Sequence, residues 1–105
     1  MGDRAMAEIK TRDGSLFFYT HWSGSDLPEL ALLALDRARP RIGDDSYALR
    51  IVIDSLIKDT DTRDQETGSG IMLKANCEDE YNNDKPSVLI DLVCNRVEVF
   101  RKVAV

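Results

Sequence analysis

Histidine occurs once, at His21, and cysteine twice, at Cys77 and Cys94, so the chain is short of the side chains that build metal centres. A structural zinc site draws four ligands mainly from Cys and His, commonly as Cys-x-x-Cys pairs, and neither the number nor the spacing is present. No metal site and no cofactor are expected. The same scarcity excludes the disulfide framework of a small secreted domain, and both cysteines are read as free thiols. Long apolar runs are missing too. Leu30 to Leu35, the longest, falls far short of the roughly 18 residues that a membrane helix needs. The polar start, Met1 to Met6, carries Asp3 and Arg4 and has no apolar stretch behind it, unlike a secretory leader. A cytoplasmic protein without membrane contact is the expectation.

Catalytic motifs are equally scarce. A nucleophile elbow of the Gly-x-Ser-x-Gly kind is absent, and Gly68-Ser69-Gly70 lacks the third glycine of a dinucleotide loop because Leu73 stands there. That tripeptide also precedes a predicted strand, whereas phosphate binding uses a helix N-terminus. Asp59, Asp61, Asp64 and Glu66 are spaced somewhat like a calcium loop, but the sharp turn at its sixth position needs a glycine that the segment does not have. A solvated acidic loop is the reading that fits. Basic charge is thin: net charge is −5, and Asp59 to Asp84 holds eight acids against Arg63 and Lys74. Nucleic acid is therefore not expected as a direct ligand, since phosphate binding needs a basic stripe. The balance points away from an enzyme.

What the chain does have is the composition of an ordinary folded domain, with 43% apolar and 31% charged residues in 105. That length supports one core, so residues 1–105 are read as a single domain. Its first five residues are expected to be flexible, and 59–69 and 76–86 to be loops. Ala7 to Thr11 and Leu16 to Trp22 flank Asp13-Gly14, a strong hairpin signal. A two-residue Asp-Gly turn would set Thr11 opposite Leu16, Ile9 opposite Phe18 and Ala7 opposite Thr20. Asp26 with Glu29 resembles a capping box ahead of a helix that ends at Pro40, with Leu27, Leu30, Ala31, Ala34, Leu35 and Ala38 as its buried stripe. A second helix is predicted from Asp44-Asp45 to about Lys58, buried through Leu49, Val52, Ile53 and Leu56. Arg50, Asp54 and Lys58 then form an exposed ladder of i,i+4 pairs. Strands are predicted over Gly70 to Ala75, Ser87 to Leu92 and Val97 to Lys102, the last two joined by a turn around Cys94-Asn95.

The order ββααβββ implies an α+β two-layer sandwich, a largely antiparallel sheet of about five strands with two helices on one face. Alternation then leaves Phe17, Tyr19, Met72, Leu89 and Phe100 on the outer sheet face, among Glu8, Lys10, His21, Lys74, Asp91 and Glu98. A contiguous apolar patch of that kind marks an interface, and self-association as a homodimer, or contact with another protein, is the leading expectation. Leu32, Tyr47 and Ile51 also fall on the polar sides of their helices. A rival reading places a small-molecule pocket or small active site between hairpin and helices, lined by His21, Trp22, Asp26, Tyr47 and Arg50. Against it, His21 is better explained as a structural residue hydrogen-bonded at a strand-to-helix junction. A third reading is an acidic mimic that occupies a nucleic-acid-binding host protein, which would require the charge to gather on one face.

Phe18-Tyr19-Thr20-His21-Trp22-Ser23-Gly24 before Leu27-Pro28, the run Asp44-Asp45-Ser46-Tyr47-Ala48-Leu49-Arg50-Ile51-Val52, and Glu66-Thr67-Gly68-Ser69-Gly70-Ile71 together resemble a family of small uncharacterised proteins of phages and integron gene cassettes. The resemblance implies an origin on a mobile genetic element and brings no catalytic residues with it. It further implies that His21-Trp22, Asp45, Tyr47, Arg50 and the Thr67-Gly68 turn line a shared surface. The segment after Asn76 has no part in it.

Overall fold

A computed structural model describes residues 3–60, 68–73 and 86–100. The fold is α+β, with two helices and a five-stranded mixed sheet in the chain order expected from the sequence. The strands are β1 (Ala5–Thr11), β2 (Gly14–Thr20), β3 (Ser69–Met72), β4 (Val88–Asp91) and β5 (Arg96–Val99), and the helices are α1 (Leu27–Ala38) and α2 (Asp45–Thr60). The strand order β3-β2-β1-β4-β5 is a purely tertiary result. Three of its pairings are antiparallel, but the central one, β1 with β4, is parallel.

The hairpin forms with a register two residues away from the expected one. Thr11 faces Gly14, Ile9 faces Leu16, Ala7 faces Phe18 and Ala5 faces Thr20, so Arg12-Asp13 is the turn. An Asp-Gly type I′ turn needs two positive φ angles in succession, whereas here Gly14 alone is left-handed, at φ 140°. Local hydrogen bonds explain the shift. The Thr11 hydroxyl donates to the Gly14 carbonyl (2.8 Å) and accepts from the Asp13 N–H (3.1 Å). Asp45, at the start of α2, takes the Arg12 N–H at 2.9 Å and its guanidinium at 2.7 Å. A slip of two keeps strand parity, so every side chain stays on its expected face.

The chain enters β1 earlier than expected. Ala5 already belongs to the strand, and Asp3 is tied down: its N–H donates to the His21 carbonyl (2.6 Å), and its own carbonyl and carboxylate accept from Gly24 (2.7 Å) and Ser25 (2.9 Å). Asp26 does not cap α1 with its side chain, which corrects the capping-box expectation. A 3-10 turn over Gly24–Asp26 precedes the helix, so Asp26 already has helical φ/ψ and the Leu27 N–H is satisfied by the Gly24 carbonyl. Past Ala38, a second 3-10 turn, Arg39–Arg41, carries Pro40.

One buried cluster joins Ala7, Ile9, Phe18, Val88 and Ile90 of the sheet to Leu27, Ala31, Ala34, Leu35 and Ala38 of α1 and Ala48, Val52 and Leu56 of α2. The α1 stripe is as expected, with Leu30 at its margin. On α2 the buried stripe is turned toward Ala48, Ser55 and Thr60, and Leu49 and Ile53 are only partly buried. Hydropathy alone passes over Ser55 and Thr60, but hydrogen bonds allow their burial. Ser55 accepts from Arg37 at 2.6 Å, and the Thr60 hydroxyl donates to the Leu56 carbonyl at 2.8 Å. Ile51, assigned to the polar side, packs against the core margin as well.

Of the loops expected over 59–69 and 76–86, Asp59 and Thr60 close α2 and Ser69 opens β3, while 61–67 and 76–85, like the strand ends predicted at Ala75 and Lys102, lie outside the described residues. No helix among the described residues is long and apolar enough to cross a membrane.

Candidate functional site

Period-2 alternation turns every second side chain of β1, β2 and β4 away from the buried cluster. The register aligns those positions into rows across the sheet. Met72, Phe17, Glu8, Leu89 and Glu98 form one row, running through β3, β2, β1, β4 and β5 in turn. A second row has Gly70 beside Tyr19 and Tyr19 beside Met6. It is continued by the Ser87 N–H donating to the Met6 carbonyl (2.9 Å) and by the Phe100 N–H donating to the Ser87 carbonyl (2.8 Å). Phe100 thus extends the face that Glu98 and Leu89 share, and it is 53% exposed. Phe17, Tyr19, Met72 and Leu89 are half-buried, in contrast to Ala7, Ile9 and Phe18, which have no exposure at all.

All of Phe17, Tyr19, Met72, Leu89 and Phe100 therefore fall on one sheet face. Met6 belongs with them, since β1 begins at Ala5, two residues before the start that the sequence pattern predicts. The alternation Met6, Glu8, Lys10 was the signal for it, since it continues the outward phase one step toward the N-terminus.

The far end of this face is charged. Lys10 is paired with Ser15 and Asp91, and Asp91 with Arg96. Ser15 donates to Glu8 at 2.7 Å, and Arg96 is 2.7 Å from Glu98. Asp91 is 3% exposed and closes the β4–β5 turn, accepting the N–H groups of Val93 and Cys94, each at 2.9 Å. Asn95 completes the turn in the left-handed region, at φ 60°. Burial opposes the charge on Asp91, but the Cys94 and Val93 N–H groups, the Cys94 side chain and the positive charge of Lys10 outweigh it and hold its carboxyl below the ordinary value.

A depressed folded-state pKa contributes stability that is fully present above the unfolded value, near 4, and is lost as pH falls through the folded value. Asp91→Asn keeps the shape and loses the charge, so it should cost about 1–2 kcal/mol at neutral pH. Urea unfolding of both proteins from pH 7 down to pH 2 checks this. The gap between them should narrow below about pH 4, whereas a constant gap would mean the charge contributes nothing.

At the opposite end, the Tyr19 hydroxyl and His21 Nδ1 are 2.9 Å apart, and the His21 and Trp22 rings meet edge-on with centroids 4.2 Å apart. The His21 N–H donates to the Gly68 carbonyl at 2.8 Å, which fastens the end of β2 beside the entry to β3. Gly68 holds φ 115°, a conformation that glycine adopts without strain.

No known protein family, curated protein or solved structure matches the chain. The residues expected to form a pocket have separate engagements. His21 and Trp22 hold each other at the β2–α1 junction, Asp26 is exposed in the 3-10 turn, Tyr47 lies under the Arg41 guanidinium (4.2 Å to the ring centroid), and Arg50 is 3.6 Å from Asp54. A cavity of about 260 Å³ is lined by Arg37, Arg50, Ile51, Asp54, Ser55 and Lys58, and of the expected set it includes Arg50 alone. Among the described residues, no three His, Cys, Asp or Glu side chains gather as metal ligands do. Cys94 carries an exposed free thiol, while Cys77 lies outside the described residues.

Proposed function

We propose that the protein is a cytoplasmic interaction module, a two-layer sandwich with both helices on one sheet face, which self-associates through the other. The observation that carries this reading is the adjacency of Met72 with Phe17 and of Tyr19 with Met6, flanked by Leu89 and Phe100, on the face opposite the buried cluster. Large apolar side chains gathered side by side gain by being removed from water together, at about 25 cal/mol per Å².

Charge favours a second copy as the occupant. The whole chain carries −5, so two copies repel in general. Yet the described rows of this face set Glu8, Glu98 and Asp91 against Lys10 and Arg96, within one charge of balance. A twofold contact there brings together nearly neutral, mixed-charge surfaces, and most of the acidic excess stays in solvent. An origin on a mobile genetic element fits such a small self-contained module.

Light scattering on a size-exclusion column tests the reading. The wild type should run as a dimer at tens of micromolar, and Phe17→Asp should run as a folded monomer, because a buried unpaired carboxylate in the contact is costly. A wild type that remains monomeric when concentrated further would overturn it.

A further inference from the structure

The groove between α1 and α2 holds cationic groups that, among the described residues, spend only part of their hydrogen-bonding capacity, and we propose that it binds a phosphate-type oxyanion, free or carried as a phosphomonoester by a small molecule. Arg50, Asp54 and Lys58 succeed one another at i,i+4 spacing along one wall, Ile51 and Ser55 form the floor, and Arg37 comes across from α1.

Arg37 is held in place. Its Nη1 donates to Ser55 Oγ at 2.6 Å and to Asp59 Oδ2 at 2.9 Å, and among the described residues the outer edge of its planar fork, with the side chain 38% exposed, is left to receive a second anion. Arg50 is placed differently. Among the described residues its acidic partner is Asp54, 3.6 Å away and beyond hydrogen-bond length, and it makes no hydrogen bond to any of them. Lys58 was expected to pair with Asp54, and among the described residues it has no partner. Among the described residues, the groove therefore gathers two guanidinium groups and an ammonium with most of their donors unused, in a chain that is acidic as a whole.

A doubly charged, tetrahedral oxyanion suits this set. It offers enough acceptor oxygens to engage all three cations, whereas a carboxylate offers two oxygens and one charge. The volume of about 260 Å³ admits a phosphate with a small substituent, which Ile51 would contact, and is too small for a large cofactor. Asp54 repels such a ligand and also holds Arg50 loosely in reserve, so binding exchanges one weak ion pair for a multidentate one. Because the groove is open to solvent, the affinity should be modest, in the millimolar range.

NMR titration of the intact chain with orthophosphate, pyrophosphate and a nucleoside monophosphate, each at constant ionic strength, tests the proposal. Saturable shifts confined to amides of residues 50–58 and to Arg37 are expected, weakened about fivefold or more by Arg50→Gln or Lys58→Gln and strengthened by Asp54→Asn. Tighter binding of the nucleoside monophosphate than of orthophosphate would assign the site to a phosphomonoester, and equal binding would assign it to the free anion. Shifts spread over all basic residues, or unchanged in Arg50→Gln, would overturn the proposal. All three substitutions are at exposed positions, and the same spectra report whether the fold is kept.

Discussion

Replacing Phe18 with alanine is expected to remove about 3–5 kcal/mol of stability, a large share of the roughly 5–15 kcal/mol available to a domain of this size. Phe18 is the bulkiest of the fully buried side chains, and its cross-strand neighbours cannot fill the space it leaves: Ala7 on β1 is small, and Ile71 on the edge strand β3 is half in solvent. Phe17, one residue earlier, is its control. It points to the opposite face, between Glu8 and Met72, so Phe17→Ala should cost the isolated chain well under half as much. Its effect should fall instead on concentration dependence. If copies associate through that face, the melting temperature of the wild type rises with protein concentration, and that of Phe17→Ala does not. Denaturant and thermal unfolding of both variants at two concentrations measure this contrast. Equal losses at the two positions would refute the face assignment.

Gly24→Ala is expected to be nearly as damaging, for a reason unrelated to core volume. A Cβ at this position would sit 2.5 Å from the Asp3 carbonyl oxygen and 2.9 Å from both the carbonyl carbon and oxygen of Arg4. These are backbone atoms and cannot rotate aside as a side chain would. The segment entering β1 must retreat, and its hydrogen bonds with His21, Gly24 and Ser25 go with it. Overpacking together with those losses amounts to about 2–4 kcal/mol, and each kcal/mol lowers the melting temperature by about 4–8 °C. A truncation separates this clash from any intrinsic preference of the turn. In a chain lacking residues 1–4, the same substitution meets nothing and should cost less than about 1 kcal/mol. An equal cost in both backgrounds would mean that close approach of the N-terminal segment is not what excludes a side chain at Gly24.

Both expectations show how differently the two kinds of structural information were encoded. That Phe18 faces inward and Phe17 outward is written into the alternation of Ala7, Ile9, Leu16 and Phe18, and it survived a two-residue error in register because parity is unchanged by an even slip. The need for glycine at position 24 is written nowhere near it. It arises from Asp3 and Arg4, which are distant along the chain and come to lie against the β2–α1 junction only once β1 pairs with β2. Two of the three buried α2 residues outside the expected stripe, Ser55 and Thr60, follow the same logic: partners for their hydroxyls, not hydropathy, decide their burial. Of the residues expected to line a pocket, His21 and Tyr47 are engaged within their own neighbourhoods, and Arg50 lines the groove between the helices instead.

The sequence by itself determined the number and kind of elements, their order, the buried stripe of α1 and the two faces of the hairpin, because each follows from local periodicity and turn chemistry acting over a few residues. Only the tertiary structure decided the strand order, the parallel pairing of β1 with β4, the Arg12-Asp13 turn anchored by Asp45 and the cation-lined groove between the helices. These depend on contacts between residues far apart in the chain, where the free energy of one pairing over another is a sum over many neighbours that no short window of sequence contains.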